Sequence, residues 1–192
     1  MTILILGLII FLGMHSIRIV ADERRTALRA RFGESAWKAG YGLVSLIGLV
    51  LVSVGYGMAR QDPLLVWAPP TAMRHVAALL TAIAFVLLAA AYVPRNRIKS
   101  SLHHPMLLGV KVWALAHLLA NGTLADLVLF GSFLAWAIVC FSAARRRDRA
   151  AGTRYPAGTM AGTLVTLVVG LAAWAVFALW LHERWIGVRP FG

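Results

Sequence analysis

The chain has 192 residues, 60% of them hydrophobic and only 14% charged, with a mean hydropathy of +0.79. A soluble domain carries about 45–50% apolar and about 25% charged residues, so an ordinary soluble globule is excluded and an integral membrane protein is predicted. The net charge of +12 comes from arginines set mainly between apolar runs, where they fix topology and meet anionic headgroups of the lipid bilayer rather than nucleic acid. The one cysteine, Cys140, excludes an internal disulfide and a Cys-rich metal site.

About 20 apolar residues cross a hydrocarbon core, and six stretches qualify: Thr2–Ala21, Trp37–Met58, Met73–Val93, Pro105–Ala120, Leu124–Ala143 and Thr159–Leu181. The first lacks the positive leading region and small-residue cleavage site of a signal peptide, so it is expected to be an uncleaved helix with its N-terminus outside. Asp22–Gly33 reads as a short basic surface helix, with Asp22 capping its start, Gly33 ending it, and Leu28 and Phe32 on one face. Ser53–Gly57 looks like a potassium-channel filter, but it completes a spanning segment, so its glycines are expected to serve helix packing. Gln61–Pro70 mixes prolines with an apolar patch and is expected to pack at the interface. The fourth span is short and polar, and only Asn121, Gly122 and Thr123 separate it from the fifth, which predicts a tight antiparallel pair.

Gly131-x-x-x-Ala135 and Gly158-x-x-x-Gly162 are small-residue pairs that let backbones approach. Charge orients the whole. Arg24, Arg25, Arg29, Arg31 and Lys38, then Arg95, Arg97 and Lys99, then Arg145, Arg146, Arg147, Arg149 and Arg154 fall on alternate connections, as the positive-inside rule requires of six spans. The prediction is an all-α, polytopic membrane helix bundle of six transmembrane helices, N-terminus outside, forming one domain over residues 1–192.

Histidine in hydrocarbon is costly and marks a functional candidate. His75 and His182 lie at span edges, and His103 and His104 stand just before Pro105, while His15 and His117 lie deeper. At 100° per residue His104 and Lys111 fall within about 20° of one another, and His103 and His117 within about 40°. Lys111 lies near mid-span, too far in to snorkel easily, and calls for a cavity or a counter-anion; the propionates of a haem would supply one. Two imidazoles on different helices are a usual way to hold haem, whereas zinc or di-iron sites lack their Cys or carboxylate ligands here. Histidines hydrogen-bonded to neighbouring helices remain the other reading. His15 is placed about 6 Å to one side of the bilayer centre and His117 about 6 Å to the other, so His104 stands as a substitute partner for His15.

Three segments carry a family resemblance: Phe11-Leu-Gly-Met-His-Ser-Ile-Arg18, Ala91-Tyr-Val-Pro-Arg-Asn-Arg97, and the long run from His104-Pro-Met-Leu-Leu-Gly-Val-Lys111 through Val-Trp-Ala-Leu-Ala-His117 to Leu-Leu-Ala-Asn-Gly122. They resemble the NnrU family over residues 1 to about 143. The resemblance implies a multi-pass protein of the bacterial inner membrane associated with nitrite and nitric oxide reduction in denitrifiers. The same superfamily includes zeta-carotene isomerase, a haem b enzyme whose axial histidines map onto His15 and His117. A cysteine that can replace the second ligand in that isomerase corresponds to Ala114 here, a departure that weighs against ligand switching.

The expectation is therefore a haem b protein with His15 and His117 on the metal and His104, Lys111 and Arg74 as supporting or propionate-binding groups. It would act in nitrogen-oxide metabolism, or in redox or isomerase chemistry on a hydrophobic small-molecule substrate. The alternative is a non-catalytic assembly or regulatory factor for a nitrite or nitric oxide reductase partner.

Overall fold

The computed structural model describes residues 1–191, and their regular structure is helical. In chain order the helices are α1 (Thr2–Val20), α2 (Asp22–Phe32), α3 (Glu34–Ala59), α4 (Ala72–Tyr92), α5 (Arg97–Leu102), α6 (Pro105–Ala120), α7 (Leu124–Ala151), α8 (Met160–Val176) and α9 (His182–Ile186), with a π-helical turn over Phe177–Leu181 joining the last two. Five helices are long and apolar enough to cross a membrane: α1, α3, α4, α7 and the continuous Met160–Ile186 segment. At 16 residues, α6 is apolar but shorter, so five of the six expected spans meet the length criterion. Large side chains such as Ile9, Leu43, Leu79 and Val168 stand exposed on these helices, as lipid-facing residues do. The chain is an all-α, multi-pass membrane protein.

Helix ends differ from the sequence-based boundaries where local chemistry decides them. Gly33, at φ 83°, ends α2 and lets α3 start at Glu34, three residues before Trp37. The Glu34 carboxylate meets Lys38 Nζ at 2.7 Å one turn on, and an acid in the first turn suits the helix dipole. Asp22 does not cap α2: Ala21 holds that position, and Asp22 pairs from the first turn with Arg25 at 3.2 Å. The arginine-rich run after Ala143 stays helical to Ala151, because Arg and Ala are strong helix formers and no breaker precedes Gly152.

The chain divides into two compact units. The first comprises Met1–Trp67 with Thr123–Trp136, and the second Ala68–Gly122 with Ala137–Gly192. In the first, α1 packs on α3 through glycine. A Cβ on Gly7 would lie 2.5 Å from the Val52 nitrogen, one on Gly48 would lie 2.7 Å from the Phe11 nitrogen, and one on Gly55 would strike the Leu4 backbone. Gly48 and Gly55 are two turns apart, so one face of α3 is stripped to backbone where α1 lies against it. Ser53–Gly57 is plain helix, and of its glycines only Gly55 serves that contact; a Cβ on Gly57 or on Gly131 would meet nothing within 4 Å among the described residues. The expected close approach at Gly131 is therefore absent. The Gln61–Pro70 connection is tied to the start of α7 by the Leu124 N–H donating to the Leu64 carbonyl at 2.8 Å.

In the second unit α4 packs against both α6 and α8. Its C-terminal carbonyls are met by side chains from the following turn: Asn96 Nδ2 donates to Ala90 O at 2.9 Å and Val93 O at 2.6 Å, and Lys99 Nζ donates to Ala91 O at 2.8 Å. Asn96 is 2% exposed and also caps α5 by accepting from the Lys99 N–H. Arg95, held at φ 52°, turns its carbonyl onto the Thr159 N–H at 2.6 Å. Gly158 and Gly162 approach backbone as expected, at this turn and at Arg97, where α5 begins.

Replacing Gly55 by Leu should drive α1 from α3 and lower stability by about 1–3 kcal/mol, whereas Gly57→Ala should change it by less than about 0.5 kcal/mol. Thermal unfolding of the two variants in detergent checks this, and equal melting temperatures would refute the packing account.

Candidate functional site

In the first unit His15 sits in an aromatic surround. The Phe11 ring lies one turn back on α1 with centroids 4.3 Å apart, Tyr41 of α3 stands edge-on at 5.4 Å, and Trp136 of α7 stands edge-on at 6.1 Å and 86°. His15 Nδ1 lies 2.7 Å from the Phe11 carbonyl oxygen. A carbonyl only accepts, so Nδ1 carries the proton and the lone pair of the neutral ring is on Nε2. Two polar atoms of this unit, Ser45 Oγ and Trp136 Nε1, are buried with no hydrogen-bond partner among the described residues. An apolar groove of about 290 Å³ runs along α1 past Leu8, Leu12, Gly13 and Ser16, with Val128 and Ser132 of α7 on its other side.

In the second unit His117 repeats the arrangement. Its Nδ1 lies 2.8 Å from the Trp113 carbonyl, and the Trp113 and His117 rings are 5.1 Å apart; the same reasoning puts the imidazole lone pair on Nε2. Asn121 Nδ2 donates to the His117 carbonyl at 2.9 Å and finishes α6. Lys111 is met by an aromatic face: its Nζ stands 3.9 Å from the centroid of Phe141, a cation–π contact. His104 meets the same ring edge-on at 6.1 Å, so the two residues expected to share a face of α6 do converge, on Phe141. Ala114 is fully buried. Arg74 is exposed in the first turn of α4, with its N–H donating to the Thr71 carbonyl.

His104 is engaged elsewhere too. Its Nε2 lies 2.8 Å from Asp148 Oδ2, and the Tyr155 hydroxyl donates to the same oxygen at 2.9 Å. Beside it His103, at φ 67°, stacks on the Tyr155 ring at 4.3 Å and 6° and accepts from Arg145. Sequence reasoning missed Asp148, Tyr155 and Arg145. The available signal was one acid inside an otherwise basic run; nothing in the spacing says that it meets a histidine 44 residues away. Burial first, and then the hydrogen bond and charge of Asp148, push the Tyr155 hydroxyl up to about 12 from an ordinary value of 10.0. The hydroxyl bond is thus intact below pH 10 and lost as pH rises through about 12. Among the described residues no three His, Cys, Asp or Glu side chains converge into a metal-holding group.

The helices define a polytopic α-helical membrane protein with half-buried histidines, His15 and His117, inside its apolar helices. The chain belongs to the NnrU family: the family model, described as NnrU protein, matches residues 3–190. No curated protein and no solved structure matches it.

With Asp148→Asn the phenol of Tyr155 should ionise at lower pH, since the charge is gone while burial remains. The difference in phenolate absorbance between that variant and its Tyr155→Phe counterpart measures the shift. An unchanged midpoint would mean that the carboxylate does not hold the hydroxyl.

Proposed function

We propose that this NnrU-family chain is a haem b protein of the bacterial inner membrane that serves nitrite and nitric oxide metabolism, with His15 and His117 as the candidate axial ligands. The observation that carries the reading is shared by the two residues. Each imidazole is fixed by an Nδ1–H bond to the carbonyl four residues back on its own helix, which sets the tautomer whose Nε2 ligates a metal. The donor set fits haem, which needs neutral imidazole for iron and little else from an apolar surround. Trp136, edge-on to His15, has its Nε1 without a partner among the described residues, a donor that a ligand carrying acceptor oxygens would meet. Haem supplies one-electron and nitrogen-oxide chemistry when bound.

The chain's own residues set the rest. Phe11, Tyr41 and Trp136 enclose the His15 ring and limit the access of water to it. His104 ranks behind His117 as a ligand, because binding metal through its Nε2 would break the bond to Asp148. Ala114 offers no thiolate, and the methyl group is fully buried, so an isomerase working by exchange of a cysteine ligand is disfavoured relative to redox or nitrogen-oxide chemistry. The basic connections at Arg24–Arg31, Arg95–Lys99 and Arg145–Arg154 support a cytoplasmic placement for those segments.

The visible spectrum of the detergent-purified protein tests this. A Soret band is expected, lost or strongly reduced in His15→Ala and in His117→Ala, and kept in His75→Ala. A colourless protein that copurifies with a nitrite or nitric oxide reductase would replace this reading with a non-catalytic assembly or regulatory role.

A further inference from the structure

The second unit has two acidic side chains, and both are taken. Glu183 pairs with Arg189 Nε at 2.6 Å, and Asp148 is shared by His104 at 2.8 Å and the Tyr155 hydroxyl at 2.9 Å. That leaves the arginines around Asp148 without a carboxylate. Arg145 donates to His103 Nδ1, which holds its side chain without neutralising it. Arg146 and Arg149 are exposed, and neither side chain has a partner among the described residues. Basic residues of other connections are better matched. Arg25 meets Asp22 at 3.2 Å, Lys38 meets Glu34 at 2.7 Å, and Lys99 donates to the Ala91 carbonyl at 2.8 Å.

The three guanidinium groups share one place. With Phe141 and Ser142 they line a groove of about 320 Å³ on α7, at the small end of the about 300–1,000 Å³ typical of ligand sites. The Ser142 hydroxyl donates to Ile138 O, so the donors that the groove offers are arginine N–H groups. Exposed Ile138 and Val139 continue the same face of α7 away from the charge. Residues 138, 142, 145 and 149, and likewise 139, 142, 146 and 149, step by three or four along the helix. The face therefore runs from apolar to strongly cationic. Arginine forks suit phosphate oxygens, and Ile138 and Val139 suit a hydrocarbon chain. A ligand that satisfies both halves is an anionic amphiphile.

We infer that this groove binds the headgroup of an anionic phospholipid, with its phosphate on Arg145, Arg146 and Arg149 and an acyl chain along Ile138 and Val139. The site is independent of the haem reading. A free phosphate ester would use only the cationic half of the face. The lipid brings the counter-anion that Asp148, engaged with His104 and Tyr155, does not supply, and it pins the end of α7 to the membrane surface.

Native mass spectrometry of the delipidated full-length protein in detergent tests the inference, with phosphatidylglycerol and phosphatidylcholine of identical acyl chains as probes. The parent should bind its first phosphatidylglycerol about tenfold or more tightly than phosphatidylcholine, as several juxtamembrane charges imply. In Arg146→Gln/Arg149→Gln the preference should fall to about threefold or less, with the helical circular dichroism unchanged, since both side chains are exposed. Arg24→Gln/Arg31→Gln, which removes two exposed charges from α2, should keep the parent's preference. Glycerol phosphate, a headgroup without chains, should not displace the lipid. No preference in the parent, an equal loss in both double variants, or no loss in the first would overturn the site. Displacement by glycerol phosphate would overturn it too, by assigning the groove to a soluble phosphate ester.

Discussion

Hydrocarbon offers no hydrogen-bond partner, and that constraint shapes almost every polar group of this protein. Backbone amides satisfy one another within helices, and side chains placed in the apolar spans either return to their own helix or cross to a neighbour. Tyr56 crosses to Asp126 at 2.6 Å and Trp174 to Thr81 at 3.1 Å. Ser16, Ser53, Ser142 and Thr166 return with hydroxyls, and His15 and His117 return with Nδ1. For a hydroxyl the bond ends the matter. For an imidazole it takes up Nδ1 and so fixes which tautomer the neutral ring holds.

The same constraint explains the junction around Asn96. A helix that ends leaves its last carbonyls without partners, and at the end of α4 they are met by Asn96 and Lys99 of the next turn. That turn presents its own backbone to α8 through the Arg95 carbonyl, and Gly158 and Gly162 make room for it. The Ala91–Arg97 motif, part of the family resemblance, is thereby accounted for as architecture. The motif around His104–Gly122 divides differently: His117 and Asn121 build one end of α6, while His104 and Lys111 converge on Phe141, and His104 also joins Asp148 and Tyr155. This second cluster mixes a strained His103, a carboxylate shared between two donors and an arginine. Its residues satisfy one another.

Glycine brings helix backbones together in both units, and in the second Gly170 of α8 lies against Val86 of α4. With backbone laid on backbone at Gly7, Gly48 and Gly55, α1 and α3 are held by close van der Waals contact, the force available between helices that have lipid as their alternative partner. The contact also fixes the register that sets Tyr41 beside His15 and Gly48 beside Phe11.

The amino-acid sequence determined the membrane class, the positions of the spans to within a few residues and the short surface helix at Asp22–Phe32, because hydropathy, helical length and capping chemistry are local properties read from consecutive residues. It also singled out His15 and His117, since the cost of an imidazole in an apolar run depends only on that run. It placed the end of α7 eight residues early, because an arginine run is equally compatible with a loop and with helix. Tertiary structure alone decided which glycines meet backbone, that Asp148 pairs with His104, that Lys111 rests on Phe141, and that Trp136 stands edge-on to His15. Each of these joins residues from separate helices, and which faces meet is set by the packing of side chains of different size, a quantity that no single stretch of sequence contains.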